Sequence, residues 1–259
     1  EEHLLEARMN NYLVSVAVVE GTFGLAAADC STGELMVTEF AGDDPWGETA
    51  DEVARLQPAE LLIPEANHGR VDLRGLLAGD AATISAWGDE AFLATGPAEL
   101  LKKHFGVSSL RGFGCEAMPA AIEAAAALVA YLRKTHKSGL QQIRDMRTYS
   151  RDEFMVVDAT TRRNLELLAS LRDGSRRNTL LWVLDDTLTP MGARLLRRWI
   201  TTPLLDIGQI EARLEAVSAL HREASLRARL RDELRTVRDL ERPVARAAAG
   251  TAGGRDLAG

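Results

Sequence analysis

An α/β domain over residues 1–115 followed by an all-α domain over 116–259 is what the sequence predicts. Three observations carry that reading. The stretch from Asn11 to Phe40 has β texture, helix and strand patterns alternate from there to about 104, and after Gly112-Phe113-Gly114 the apolar spacing becomes helical.

In the first domain, Tyr12, Val14, Val16 and Val18 alternate with Leu13, Ser15, Ala17 and Val19. Both faces are largely apolar, as in a strand covered on both sides. Phe23–Asp29 and Glu34–Phe40 are two further strands, joined by Ser31-Thr32-Gly33, where the glycine can take positive φ. Gly21-Thr22-Phe23-Gly24 reads as a turn leading into a strand. A helix is expected from Thr49 to Leu56, then a short strand at Leu61-Leu62-Ile63 ended by Pro64. A strand at Thr83–Trp87 and a helix from Pro97 to His104 complete the domain.

In the second domain, Pro119 opens a helix with Ile122, Ala126, Val129 and Leu132 on one stripe, closing near Gly139. Its Ala-rich patch at 124–127 is a close-packing surface. A short extended piece is expected at Phe154–Val157. Asp158 caps the next helix, with Leu165 and Leu168 inside it and Gly174 just past its end. Thr189 and Pro190 start another, in which Leu195, Leu196 and Trp199 form the apolar stripe, Arg194, Arg197 and Arg198 take other faces, and Gly192 lets a neighbouring helix approach. Asp206, with Gln209 in capping-box position, starts one carrying Ile207, Ile210, Leu214 and Val217.

Composition narrows the function classes. The chain has 259 residues, 46% hydrophobic and 27% charged, with no apolar run long enough to span a membrane. Its start, Glu1-Glu2-His3-Leu4-Leu5-Glu6, is acidic where a signal peptide would be basic, and it lacks an initiator Met, as an excised fragment would. Cys30 and Cys115 form neither a disulfide framework nor a zinc site, which fits a cytoplasmic protein. The net charge of −7 divides into −12 over residues 1–115 and +5 over 116–259. Such a first half does not grip phosphate backbones, and the second half scatters its arginines along helices.

Candidate chemistry is sparse. No Gly-x-x-x-x-Gly-Lys-Ser/Thr loop is present, so the sequence offers no P-loop site. His3, His68, His104, His136 and His221 stand singly, without ligands at metal spacing. Asp29, Glu34, Asp43, Asp44 and Asp51 read as turn and cap acids, with the clustered carboxylates of a two-metal nuclease as the rival reading were the domain to have a nuclease fold.

Three separated blocks are more specific than any of these. Asp158-Ala159-Thr160-Thr161-Arg162-Arg163-Asn164-Leu165-Glu166-Leu167, Leu180-Leu181-Trp182-Val183-Leu184-Asp185, and Thr189-Pro190-Met191-Gly192-Ala193-Arg194-Leu195-Leu196-Arg197-Arg198-Trp199 resemble, in order and spacing, the core region of the MutS family of DNA mismatch repair proteins. Asp239-Leu240-Glu241-Arg242 and Gly250-Thr251-Ala252 continue the match. The resemblance implies a ribonuclease H-like α/β connector at 1–115 and the N-terminal part of the helical, lever-type core at 116–259. Asp158, Arg162, Arg163, Asn164, Thr189, Pro190, Gly192 and Trp199 are the structural motif of that core.

The resemblance also implies function. The family's mismatch-reading domain, with its Phe-x-Glu element, precedes the connector, and its DNA clamp and ATPase follow. The chain is then expected to hold no catalytic, cofactor or metal site, with ATP and Mg²⁺, mismatched DNA and homodimerisation belonging to other parts of the parent. It would relay signals between those parts and dock a MutL-type protein. The docking surface implied is the helix before Phe105-Gly106, with Glu99, Lys102 and Lys103 outward and Leu100 and Leu101 inward. Alternatives are a free-standing ribonuclease H-like nuclease and a MutS paralogue acting in recombination.

Overall fold

A computed structural model describes residues 6–65, 83–88, 96–135 and 140–254. Gly139, His3, His68, His136, Asp256 and Leu257 lie outside the described residues. Two compact units emerge. One joins Asn11–Tyr149 with 241–258, and the other joins 1–10 with Ser150–Leu240.

The α/β unit is built on one mixed sheet. Strands β1 (Leu13–Val19), β2 (Thr22–Asp29) and β3 (Glu34–Phe40) form an antiparallel meander. Strand β4 (Glu60–Pro64) joins β1 in parallel and β5 (Thr83–Trp87) joins β4 in parallel. The two-residue β6 (Arg147–Thr148) closes the other edge beside β3, giving the order β5-β4-β1-β2-β3-β6. Hydrophobic alternation within β1 feeds two cores. Val14 and Val16 join Leu25, Val53 and Leu61 on one face, while Leu13 and Ala17 join Leu35, Leu101 and the alanines of a long helix on the other.

Local chemistry sets the turns. Glu20 and Gly21, both at positive φ, reverse the chain between β1 and β2, while Thr22, Phe23 and Gly24 already belong to β2. Gly33, at φ +77°, closes the β2–β3 turn by donating 2.8 Å to the Asp29 carbonyl. Helix α1 (Pro45–Leu56) begins four residues before Thr49, because Asp44 accepts from the Gly47 amide and Pro45 occupies the first position.

Helix α2 (Pro97–Phe105) and helix α3 (Pro119–Thr135) pack together, and α3 lies on β1, β2 and β3. This corrects the expected division at 115/116. The Pro119 helix belongs to the sheet, and the α/β unit runs on to Tyr149. The physical reason is close approach. A Cβ placed on Gly24 would sit 2.0 Å from the Ala120 carbonyl, so the helix backbone touches the strand directly. The alanines at 124–127 are buried against that face, and Glu39 accepts from the Ala121 amide at 2.9 Å.

The helical unit contains α4 (Ala159–Asn164), α5 (Leu180–Leu184), α6 (Pro190–Thr201), α7 (Ile207–Arg222) and α8 (Ala224–Leu234). A further helix, α9 (Glu241–Ala248), groups with the α/β unit. Asp158, Thr189 and Asp206 cap α4, α6 and α7, each accepting from the amide three residues on. The extended piece forms an isolated bridge between Phe154 and Leu204.

Helix α4 is shorter than expected. Glu166 adopts φ +47°, which a helix cannot continue through, and its carboxylate accepts from the Leu171 amide. Leu165 and Leu168 consequently lie outside the helix, and Gly174, at φ +69°, closes the loop that follows. Helix α6 buries a different face from the one its apolar residues mark. Ala193 and Arg194 are buried, whereas Leu195 and Trp199 are 44% and 41% exposed. What lies nearest Gly192 is Thr189 and Thr187, not another helix. A Cβ there would meet Thr189 Oγ1 at 3.0 Å, so the glycine leaves room for the cap of its own helix.

Candidate functional site

The surface singled out by sequence lies on α2. Gly106, at φ +69°, ends this helix with its amide donating to the Lys102 carbonyl. Leu100 and Leu101 are buried, and the Phe105 ring meets Phe113 in a tilted contact 4.8 Å between centroids, fixing which side faces outward. Glu99 and Lys103 are exposed as expected. Lys102 is not free. Its side chain is 26% exposed and its Nζ donates 2.9 Å to Glu99 Oε1, and that hydrogen bond and charge raise its pKa. A one-turn ion pair on this face therefore neutralises two of the three candidate residues, leaving Lys103 as the solvated charge.

His104 completes the helix end. Its ring contacts the Ile143 carbonyl at 3.0 Å and the Arg133 guanidinium at 3.0 Å. Burial, reinforced by the Arg133 charge, lowers its pKa. Since the guanidinium can only donate, the nitrogen facing Arg133 accepts and the other donates to Ile143, which describes a neutral structural imidazole.

Three of the five carboxylates of the nuclease reading, Asp29, Glu34 and Asp44, are committed elsewhere. Asp29 is fully buried. Its Oδ1 accepts from the Ser31 amide at 2.9 Å and hydroxyl at 2.6 Å, and its Oδ2 accepts from the Asn11 amide at 3.1 Å. Glu34 accepts from the Tyr12 hydroxyl at 2.9 Å, and Asp44 caps α1. Among the described residues, no group of three or more His, Cys, Asp and Glu is placed to hold a metal ion. Burial, with the Asp29 charge beside it, pushes the Cys30 thiol up to about 12, so it stays protonated at neutral pH.

Three polar clusters carry more of the structure than sequence reasoning assigned to them. In the α/β unit, Glu52 is buried and receives Arg55 through two hydrogen bonds and the Tyr149 hydroxyl at 2.6 Å. In the helical unit, Arg194 makes a two-pronged contact with Asp239, both bonds 2.8 Å. In the same unit, Asp185 receives Arg8 at 2.7 Å, together with Arg176 and Thr187. The blocks that contain Asp185, Arg194 and Asp239 were visible as motifs, but no local spacing links them.

Among the remaining motif residues, Arg162 donates to the Val157 carbonyl at 2.6 Å, and Arg163 and Asn164 are exposed on α4. The Trp199 ring carries the Arg213 guanidinium at 3.9 Å, a cation–π contact between α6 and α7.

A mixed-sheet α/β unit and a unit of capped helices are two separately packed modules of one chain. Comparison with known proteins resolves the class. Residues 11–144 match the family model described as MutS domain II, and residues 160–259 match MutS domain III. The chain belongs to the MutS family.

Curated relatives agree across its length. The DNA mismatch repair protein MutS of Symbiobacterium thermophilum is 43% identical over 257 residues, covering 99% of this chain and 29% of the relative. That of Pelotomaculum thermopropionicum is 44% identical over 263 residues, covering 100% and 30%. The protein of the same name in Methanococcoides burtonii is 38% identical over 248 residues, covering 96% and 28%. The chain thus spans under a third of the length of the curated relatives it matches.

Proposed function

We propose that this chain is the connector and the first part of the core of a MutS-type DNA mismatch repair ATPase, acting as a relay and a docking platform without catalysis of its own. The observation that carries the reading is the commitment of its acids. Asp29, Glu34 and Asp44 serve a turn, a tyrosine and a helix cap, which argues against a free-standing nuclease. We read the sheet as ribonuclease H-like, on the strength of an antiparallel three-strand meander extended by two parallel strands.

On this reading ATP and Mg²⁺, mismatched DNA and homodimerisation engage other parts of the parent, and a MutL-type protein docks on the connector. Placement in the cytoplasm fits a DNA repair role, and no helix among the described residues is long and apolar enough to cross a membrane. Surface plasmon resonance of the whole chain against the N-terminal region of a MutL-type protein tests the docking. Saturable binding is expected, and none at high micromolar concentration would remove the connector role. A Mg²⁺-dependent cleavage assay on DNA and RNA–DNA hybrids tests the absence of catalysis.

A further inference from the structure

Residues 6–10 form neither helix nor strand beyond a single turn, yet the helical unit holds this segment at consecutive residues. The Ala7 carbonyl accepts from Arg194 Nη1 at 2.6 Å, and Arg194, 4% exposed, is itself fixed on Asp239. The next residue, Arg8, donates 2.7 Å to Asp185 Oδ1 and 2.6 Å to the Thr187 hydroxyl, which in turn donates a hydrogen bond to Asp185. Glu6 lies near enough to Arg197 to favour its charged form against the burial that lowers its pKa.

Asp185 is the centre of this arrangement. Its side chain is 2% exposed. Burial alone would raise its pKa, but donors on Thr187, Arg8 and Arg176 outweigh burial and hold it at about 2. It is therefore a buried, ionised carboxylate, and one of its two cations comes from the segment. A buried charge that loses a partner costs far more than a surface pair, because water does not replace the missing donor.

We propose that Glu6–Asn10 is a strap that completes the corner between α5 and α6 electrostatically, so that withdrawing Arg8 from Asp185 loosens residues 180–194. The strap converts a displacement of the chain just before β1 into a change in the packing of α6. This follows from contacts inside the helical unit and holds whether or not the chain docks a MutL-type protein.

Hydrogen exchange on the whole chain tests it, comparing the parent with Arg8→Met, Arg8→Lys and the double variant Arg8→Met/Asp185→Asn. Arg8→Met is expected to speed exchange at 6–10 and 180–194 by about tenfold or more, with β1–β3 unchanged. The double variant is expected to recover most of the protection at 180–194 while 6–10 stays fast, because a neutral amide at position 185 needs no second cation. Arg8→Lys keeps the charge and is expected within about threefold of the parent at 180–194. Unchanged exchange at 180–194 in Arg8→Met would show that the strap is passive. A double variant as fast as Arg8→Met would show that packing, and not charge, is what the strap supplies. Should Arg8→Met fail to fold, the decision passes to the other two, and tenfold faster exchange in Arg8→Lys overturns the proposal.

Discussion

Arg194 and Asp239 stand 45 residues apart in the chain and meet in a two-pronged pair, Nη1 to Oδ2 and Nη2 to Oδ1, both at 2.8 Å. Arg194 is the buried face of α6, so its charge is satisfied by this carboxylate and by the Ala7 carbonyl. Fork geometry of this kind suits guanidinium and not ammonium.

Removing one member leaves the other as a desolvated charge. Arg194→Met should cost about 3–5 kcal/mol, and Asp239→Asn should cost less because an amide oxygen still accepts one bond. Arg194→Lys should recover only part of the loss. Urea unfolding followed by far-ultraviolet circular dichroism measures all three. A cost below about 1 kcal/mol for Arg194→Met would place the pair among ordinary surface ion pairs.

The glycine of the same helix makes a coupled prediction. Ala at 192 should gain up to about 1 kcal/mol from helix propensity, but its Cβ would press on Thr189 Oγ1 at 3.0 Å and disturb a cap worth about as much. Gly192→Ala alone should leave stability nearly unchanged. In a Thr189→Ala background there is no cap to disturb, so the same substitution should stabilise. A double-mutant cycle that proves additive would mean that the cap yields without cost.

Acid should find the buried carboxylate of Asp185. The Asp185 carboxyl is held at about 2, below its ordinary 3.8, so its contribution is fully present above the unfolded value. That contribution is lost as pH falls from about 4 towards 2. Replacing it with Asn should flatten the acid limb of the stability curve over that range. The comparison requires unfolding midpoints of both proteins at several pH values, and parallel acid limbs would contradict it.

Much of this fold could be read from local chemistry, and the failures share one cause. The alternation in β1, the Ser31-Thr32-Gly33 turn and the caps at Asp158, Thr189 and Asp206 each act within a few residues, so spacing reveals them. Helix α3 misled because an alanine-rich amphipathic pattern suits a bundle as well as a sheet. Only the bare Cα of Gly24, almost a hundred positions away, shows which surface receives it. Arg194 stands off the apolar stripe, and its burial is illegible for the same reason, since its partners at Ala7 and Asp239 are distant in sequence. The apolar residues of α7 lay on the expected helical stripe, yet Leu214 and Val217 are 61% and 64% exposed. Periodicity marks which face is apolar and does not say what covers it.

Nucleotide and DNA titrations address the reading of this chain as a relay. With no phosphate-binding loop in its sequence, calorimetry with ATP and Mg²⁺ should show no heat of binding. Matched and mismatched duplexes should bind alike and weakly, with affinity collapsing as salt rises, since the net charge is −7. Micromolar ATP binding, or a preference for the mismatch at physiological salt, would be incompatible with the proposal.

The helix proposed for docking, α2, yields the last prediction, and its contacts reorder the residues to be tested. Lys103 is the solvated charge of α2, whereas Lys102 is already paired with Glu99. Lys103→Glu should therefore slow association with a MutL-type protein more than Lys102→Glu, with dissociation changing little, as rim charges act mainly on encounter. Both substitutions should leave stability within about 0.5 kcal/mol, since neither side chain belongs to a core. Glu99→Gln offers the complementary change. Freeing Lys102 from its partner raises the positive charge of the face, so association with an acidic surface should quicken and with a basic one should slow. The direction of that change reads the sign of the partner's surface. Association rates identical to the parent in all three variants would show that α2 is not where the partner lands.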